Sequence, residues 1–307
     1  MSIHLVARSI ARPVQPLLQP WALNARVLAT FAHVCDLVTA GGEVLALVDP
    51  EVGDGPLNIV VQAAPPAGED REPVSVLEAL SSPKPGTPVQ LEGSSLLVGD
   101  LVVAIEGAVT WEPRPDWESL RAGRTLTAGL LQRLRELALA QSSEESLLHL
   151  MQEGVTGTRE SVRGAQAAAR AGAAVLQNGW AGDVASLREG VAWLAGLGGG
   201  LTPAGDDFLC GVMLAAWLAH PDPDEFCLEV VQVAVPRTTL LSAVFLRAAG
   251  RGECSAAWHG LLAGLSQPPT GVSGEVEAAL FAVLSRGATS GADALAGFVT
   301  GCLYSQG

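Results

Sequence analysis

The sequence predicts an α+β protein: a β-rich N-terminal domain followed by a larger, all-helical C-terminal domain. Three observations lead there. Short runs rich in Val, Ile and Leu, broken by Gly, Asp and Pro, fill the first third of the chain, as strands and their turns do. From residue 116 onward, apolar residues recur at three- and four-residue spacing, the period of an amphipathic helix. The two patterns do not alternate, so no parallel sheet of βαβ units is expected. No dinucleotide-binding glycine fingerprint stands between a strand and a helix either.

The strand segments are "RVLATFAHVCDLVT" (26–39), "EVLALVD" (43–49), "LNIVVQ" (57–62) and "SLLVGDLVVAIEGAVTW" (95–111). Gly41-Gly42, Asp49-Pro50 and Gly53-Asp54-Gly55-Pro56 supply the turns between them. Residues 63–95, rich in Pro, Ser and Gly, read as a long loop or short hairpin with a helical turn at "VSVLEAL". "WEPRPDW" (111–117) marks the boundary: two prolines stop the strand and Asp116 caps the first helix, giving domains 1–113 and 114–307. Helical segments then run over 116–141, "SEESLLHLMQ", "SVRGAQAAARAGAAVLQ" and "DVASLREGVAWLAGL". Further helices are expected at 206–219, 224–234, 237–249, 255–264, 274–285 and 291–303.

Composition narrows the function. The 307 residues are 49% hydrophobic, enough for a sizeable core, and carry a net charge of −14. A general nucleic-acid binder or a binder of anionic membranes needs a basic face, so neither is expected. Lys84 is the sole lysine, so anion contacts fall to arginine, backbone amides and hydroxyls. Cys35, Cys210, Cys227, Cys254 and Cys302 are odd in number and scattered, which suits buried thiols in a reducing compartment. The N-terminus has no apolar signal-peptide core, and the longest apolar run, "FLCGVMLAAWLA" (208–219), is shorter than the ~20 residues of a membrane span. A cytoplasmic protein is expected. His4, His33, His149, His220 and His259 show no metal-ligand spacing, and Trp193, Trp217 and Trp258 read as core residues.

The stretch "GLGGGLTPAGDDFL" (196–209) carries the chemistry. Thr202 reads as an N-cap and Pro203 as the first helical residue, which puts Asp206 and Asp207 in the first turn. The helix after them is apolar all round and so buried. A capped helix explains one aspartate. Two carboxylates at a buried helix end are costly unless a metal ion, an arginine or a hydrogen-bonding ligand meets them. Gly198, Gly199 and Gly200 allow close backbone approach and expose amides beside a helix N-terminus, which favours an anion. Asp206 and Asp207 are therefore the candidate catalytic groups, with Gly199, Gly200, Thr202 and Gly205 as candidate binding residues. Any metal, Mg²⁺ or Mn²⁺, would fall to the two aspartates.

Two other polar stretches follow, the first an echo of this one. "GATSGADALAGFVTG" (287–301) aligns Gly287, Thr289 and Asp293 with Gly200, Thr202 and Asp206, and Ser290 with Asp293 fits a capping box. "PRTTLLSAVFLRAAGRGE" (236–253) places Thr238 and Ser242, and Thr239 and Ser242, on one helix face. Its hydroxyls either back-bond to carbonyls or line a polar pocket, and Arg237 or Arg247 is a candidate partner for Asp206 or Asp207. Thr238, Thr239, Ser242, Thr289, Ser290, Gly291 and Asp293 join the candidate binding set.

Together, "GLGGGLTPAGDDFLCG", "RTTLLSAVFLRAAGRGE" and "RGATSGADALAGFVTG", with "GPLNIVV" (55–61) and the Asn24 segment, resemble the AllH-like family, formerly a domain of unknown function. That family includes a subunit of the bacterial oxamate carbamoyltransferase of allantoin and purine catabolism. The resemblance spans most of residues 24–304, although Ala204 stands where many relatives would have Ser. It implies carbamoyl transfer between carbamoyl phosphate and oxamate, with oxalurate as the carbamoylated partner, and further subunits in the complex. It also implies that Asp206 or Asp207 holds a divalent cation, orients the amide nitrogen or acts as general base. Two alternatives stand beside this transferase: a non-catalytic subunit that binds phosphate or a metabolite, and a metal-dependent hydrolase using the Asp206/Asp207 pair.

Overall fold

The computed structural model describes residues 3–19, 23–64, 75–124, 126–152, 160–266 and 273–306. The chain is α+β and divides into two compact units, Met1–Pro113 and Arg114–Gly307, each with its own apolar core.

The first unit holds β1 (Ile3–Ala11), β2 (Ala25–Thr30), β3 (Val34–Thr39), β4 (Val44–Val48), β5 (Asn58–Ala63), the short helix α1 (Val76–Ser81), β6 (Pro88–Glu92), β7 (Ser95–Val98), β8 (Leu101–Ala104) and β9 (Val109–Trp111). The strands form one sheet in the order β5-β4-β3-β2-β6-β7-β8-β1-β9, and β1 also pairs with β5, so the sheet closes on itself as a barrel. β1 makes the closure. It runs antiparallel to β5, parallel to β8 through Ile3–Val6 and parallel to β9 through Ser9–Ala11, with its register shifting between Ala7 and Ser9. Alternation fills the interior: Leu5, Val27, Cys35, Leu37, Leu45, Leu47, Ile59, Val61, Leu96, Val98, Leu101 and Val103 are buried in one cluster.

Here the structure refines the sequence reading. The run 26–39 is two strands, β2 and β3, folded as an antiparallel hairpin. The proline-rich 63–95 segment contributes α1 and then β6, which pairs with β7 as a short hairpin; residues 65–74 lie outside the described ones. β1 is a strand the periodicity did not reveal.

The second unit holds α2 (Trp117–Gly123), α3 (Ala128–Leu139), α4 (Leu147–Leu150), α5 (Glu160–Trp180), α6 (Val184–Leu194), α7 (Ala204–Ala219), α8 (Pro223–Ala234), α9 (Leu240–Gly250), α10 (Ala256–Leu265), α11 (Gly274–Leu284) and α12 (Ser290–Tyr304). The expected helix 116–141 is broken into α2 and α3, and only Leu147–Leu150 of "SEESLLHLMQ" is helical. Trp217 and Trp258 are core residues as expected, but Trp193 is half exposed on α6.

α7 forms the centre of this unit. Phe208, Leu209, Val212, Met213, Ala215, Ala216 and Leu218 are fully buried or nearly so, as its unbroken apolar composition requires. Its closest neighbour is α12, and glycine allows the approach. A Cβ on Gly211 would lie 1.8 Å from the Ala294 carbonyl oxygen, one on Gly297 would lie 1.9 Å from that of Phe208, and one on Gly301 would lie 2.7 Å from Ala215 Cβ. These contacts pair the start of one helix with the start of the other and the middle with the middle. α7 and α12 therefore run in the same direction, with their N-terminal ends side by side.

Candidate functional site

The loop between α6 and α7 folds back on itself before the helix starts. Leu197 N donates to Leu194 O (2.9 Å) and Gly205 N to Leu197 O (2.9 Å). Gly196, Gly198 and Gly200 take positive φ (72°, 115° and 86°), which only glycine adopts freely. Between these turns, Gly198, Gly199, Gly200 and Leu201 are exposed. Among the described residues, no protein acceptor meets the amides from Gly198 to Thr202. The helix starts one residue later than expected: Pro203 is the N-cap, and Thr202 makes no cap bond. Thr202 Oγ1 instead lies 3.1 Å from Ser290 Oγ, at the start of α12.

The two adjacent aspartates do different work. Asp206 is fully buried, and both of its oxygens are used. Oδ1 accepts from Gly196 N (2.9 Å), and Oδ2 accepts from Ser242 Oγ (2.9 Å) and from Thr238 Oγ1. One carboxylate thus ties the glycine loop, α7 and the start of α9 together. Among the described residues no lysine or arginine forms an ion pair with it, and Arg237 donates to Val233 O (2.6 Å) instead. The expectation of an arginine partner is corrected: two hydroxyls and an amide already satisfy the charge. Each oxygen of Asp206 thus already accepts from the protein.

Asp207 faces the other way. Its Oδ2 is buried and has no hydrogen-bond partner. Burial pushes its carboxyl up to about 8; the Ser290 hydroxyl offsets part of this, and Asp293 and Asp206 add to it. Buried polar atoms without partners are rare in folded proteins, which makes this oxygen a candidate contact for a ligand.

Asp293, near the start of α12, resembles it. Asp293 is fully buried, its Oδ1 accepts from Leu147 N (2.6 Å), and its Oδ2 is buried without a partner. Burial raises this carboxyl to about 6, offset by the Leu147 amide and the Thr289 hydroxyl. The expected Ser290–Asp293 capping box is absent: the N-cap of α12 is Thr289, which makes no side-chain cap bond, and Asp293 Oδ1 accepts from Leu147 N instead.

The remaining predicted residues divide by role. Thr239 caps α9 by accepting from Ser242 N (3.1 Å) and also donates to Leu201 O, holding the glycine loop against α9. Thr238 precedes α9 rather than sharing its face with Ser242, yet the two meet on Asp206. Gly205 and Gly291 are packing positions: a Cβ there would lie 2.0 Å from Leu194 O and 2.0 Å from Val283 O respectively. Gly199 and Gly200 have open space around them, so nothing in the fold obstructs a ligand there. The site thus gathers the N-terminal ends of α7, α9 and α12, whose partial positive charges favour an anion, around free loop amides and two orphaned acid oxygens.

Sequence spacing missed one cluster in the first unit. His33 Nδ1 lies 2.5 Å from Asp49 Oδ2 and 3.9 Å from Glu51 Oε2. Among the described residues this is the one set of three metal-capable side chains whose ligand atoms lie within 4.8 Å of each other. The Glu51 and Val52 amides hold Asp49 Oδ1 at 2.8 and 3.1 Å. His220 is a satisfied core histidine, with Nε2 3.1 Å from Trp180 O. All five cysteines are free, and no helix among the described residues is long and apolar enough to cross a membrane.

Two family models match the chain. One, described as oxamate carbamoyltransferase subunit AllH, matches residues 194–302, which include the glycine loop, α7, α9 and most of α12. The other, described as the AllH family N-terminal domain, matches residues 6–110. No solved structure matches the chain significantly.

Proposed function

The chain belongs to the AllH family of oxamate carbamoyltransferase subunits, which its two family matches cover over most of its length, and from that premise we propose that its helical unit holds the reacting site. The reaction is carbamoyl transfer between carbamoyl phosphate and oxamate, within purine and allantoin breakdown, and it takes place in a complex with further subunits. One observation carries the reading: a buried, unpartnered carboxyl oxygen on Asp207 beside free loop amides and three helix starts.

Phosphate fits the amides from Gly198 to Thr202, where the ends of α7 and α12 add positive potential. In the degradative direction a phosphate oxygen attacks the ureido carbonyl carbon of oxalurate. The bond from that carbon to the oxamate nitrogen breaks, and its electron pair goes to the nitrogen. The charge spreads from that nitrogen onto the adjoining carbonyl oxygen, where Asp207, held protonated near neutrality by burial, gives its proton; the proton then settles on the nitrogen, and Asp207 regains one from the attacking phosphate. The products are carbamoyl phosphate and oxamate. Asp206 does not react but fixes the loop that holds the phosphate. Barrier lowering then comes from placing two anions together and offsetting their charge.

The test is reconstitution with the partner subunits and measurement of carbamoyl phosphate formed from oxalurate and phosphate. Asp207→Asn is expected to lower turnover by about 100-fold or more while the protein stays folded. Wild-type turnover in Asp207→Asn, or in partners lacking this chain, overturns the assignment.

A further inference from the structure

The helical unit contains a repeat whose register the structure defines. Gly205-Asp206-Asp207-Phe208-Leu209-Cys210-Gly211 and Gly291-Ala292-Asp293-Ala294-Leu295-Ala296-Gly297 share Gly, Asp, Leu and Gly at the same spacing. Their contacts are reciprocal. Gly211 packs on the Ala294 carbonyl and Gly297 on that of Phe208, each the residue after the shared aspartate. Gly205 and Gly291 each pack on a carbonyl near the end of the preceding helix, Leu194 and Val283. The partner of Asp293 is therefore Asp207, and both present a buried Oδ2 without a hydrogen bond.

Resting on the carbamoyltransferase reading, we propose that Asp207 and Asp293 form one seat for a primary amide, with Asp293 accepting an amide N–H and Asp207 donating to the amide carbonyl oxygen. The starts of α7 and α12 pack side by side, and each contributes one orphaned acid oxygen there. Carboxylates placed together away from water do not both ionise without a cation, so one keeps its proton. The Leu147 amide stabilises the charge on Asp293, whereas Asp207 gains a further rise from Asp293, so the proton stays on Asp207. The pair then offers one donor and one acceptor, which is the complement of a C(=O)–NH2 edge. Asp293 is thus a specificity residue that distinguishes amide from carboxylate.

Oxamate and oxalate test this directly, because oxalate replaces the NH2 group with a charged oxygen. Calorimetric titration of the full chain in saturating phosphate is expected to show oxamate binding at least about tenfold more tightly than oxalate, since the analogue leaves Asp293 facing a like charge. Asp293→Asn, which keeps an acceptor for Leu147 N, is expected to reduce that preference to less than about threefold. Thermal melts check that the variant folds, and the wild-type comparison needs no variant. Equal affinity for the two ligands, no oxamate binding, or an unchanged preference in Asp293→Asn overturns the amide seat. So does Mn²⁺, titrated alone, binding wild type and not Asp293→Asn, because the pair would then be a cation site. Phosphate titrated alone separates the two levels: if it does not bind, the phosphate-site reading fails. If it binds while oxamate and oxalate do not differ, only the amide seat fails.

Discussion

Adjacent residues on a helix point about 100° apart, and at the start of α7 this separates structure from chemistry. Asp206 turns inward to Gly196, Thr238 and Ser242, while Asp207 turns toward Ser290 and Asp293. Asp206→Ala leaves two hydroxyls and the Gly196 amide without an acceptor, and is expected to cost about 3 kcal/mol or more in denaturant unfolding. A loss under about 0.5 kcal/mol would show that the clamp is not structural. Asp207 has the opposite effect on stability. Its carboxyl sits near 8 in the folded chain, against 3.8 ordinarily. Between those values the folded state holds a proton that the unfolded state has released. Stability therefore falls as pH rises from about 4 to about 8 and levels off above that. Asp207→Asn removes this slope. The variant is expected to match wild type near pH 4 and to exceed it by more than about 1 kcal/mol at pH 8, as measured by thermal melts across that range. A site residue that costs stability is consistent with selection for function.

At the scale of elements, the pairing of α7 with α12 depends on glycine. Gly297→Ala places a Cβ 1.9 Å from Phe208 O, so the helices must separate and the two acid groups with them. A loss of about 3 kcal/mol or more is expected, whereas Gly199→Ala, which meets open space, is expected to stay within about 0.5 kcal/mol. Comparable chemical denaturation curves for the two variants would contradict the close packing. The same glycines explain an offset in the sequence reading. Matching Thr202 to Thr289 aligned Asp206 with Asp293. The fold aligns Asp207 with Asp293 because Gly205 and Gly291, pressed against the preceding helix, set the register. The threonines do not: Thr202 reaches Ser290, and neither Thr202 nor Thr289 makes a cap bond.

At the scale of the whole molecule, each of the two units has its own buried cluster. A fragment spanning 114–307 is therefore expected to fold alone, with a helical circular dichroism spectrum and a cooperative melt. A fragment that melts without cooperativity would contradict this. The order of strands and helices was legible in sequence because periods of 2 and 3.6 are local properties, visible in runs such as "LNIVVQ" and "DVASLREGVAWL". β1 was not legible, because its pairing with β5, β8 and β9 lies across long stretches of chain and closes the barrel only in three dimensions. The glycine loop, the aspartates and the hydroxyls of 238, 239 and 242 were also found in sequence, since each is an unusual residue at a helix start. Their roles were not. Whether a carboxylate is a clamp or a free acid depends on which partners the fold brings within hydrogen-bond reach, and those partners come from other helices. The sequence by itself determined the α+β order and the candidate site. The tertiary structure alone decided that Asp206 is satisfied and that Asp207 and Asp293 are not.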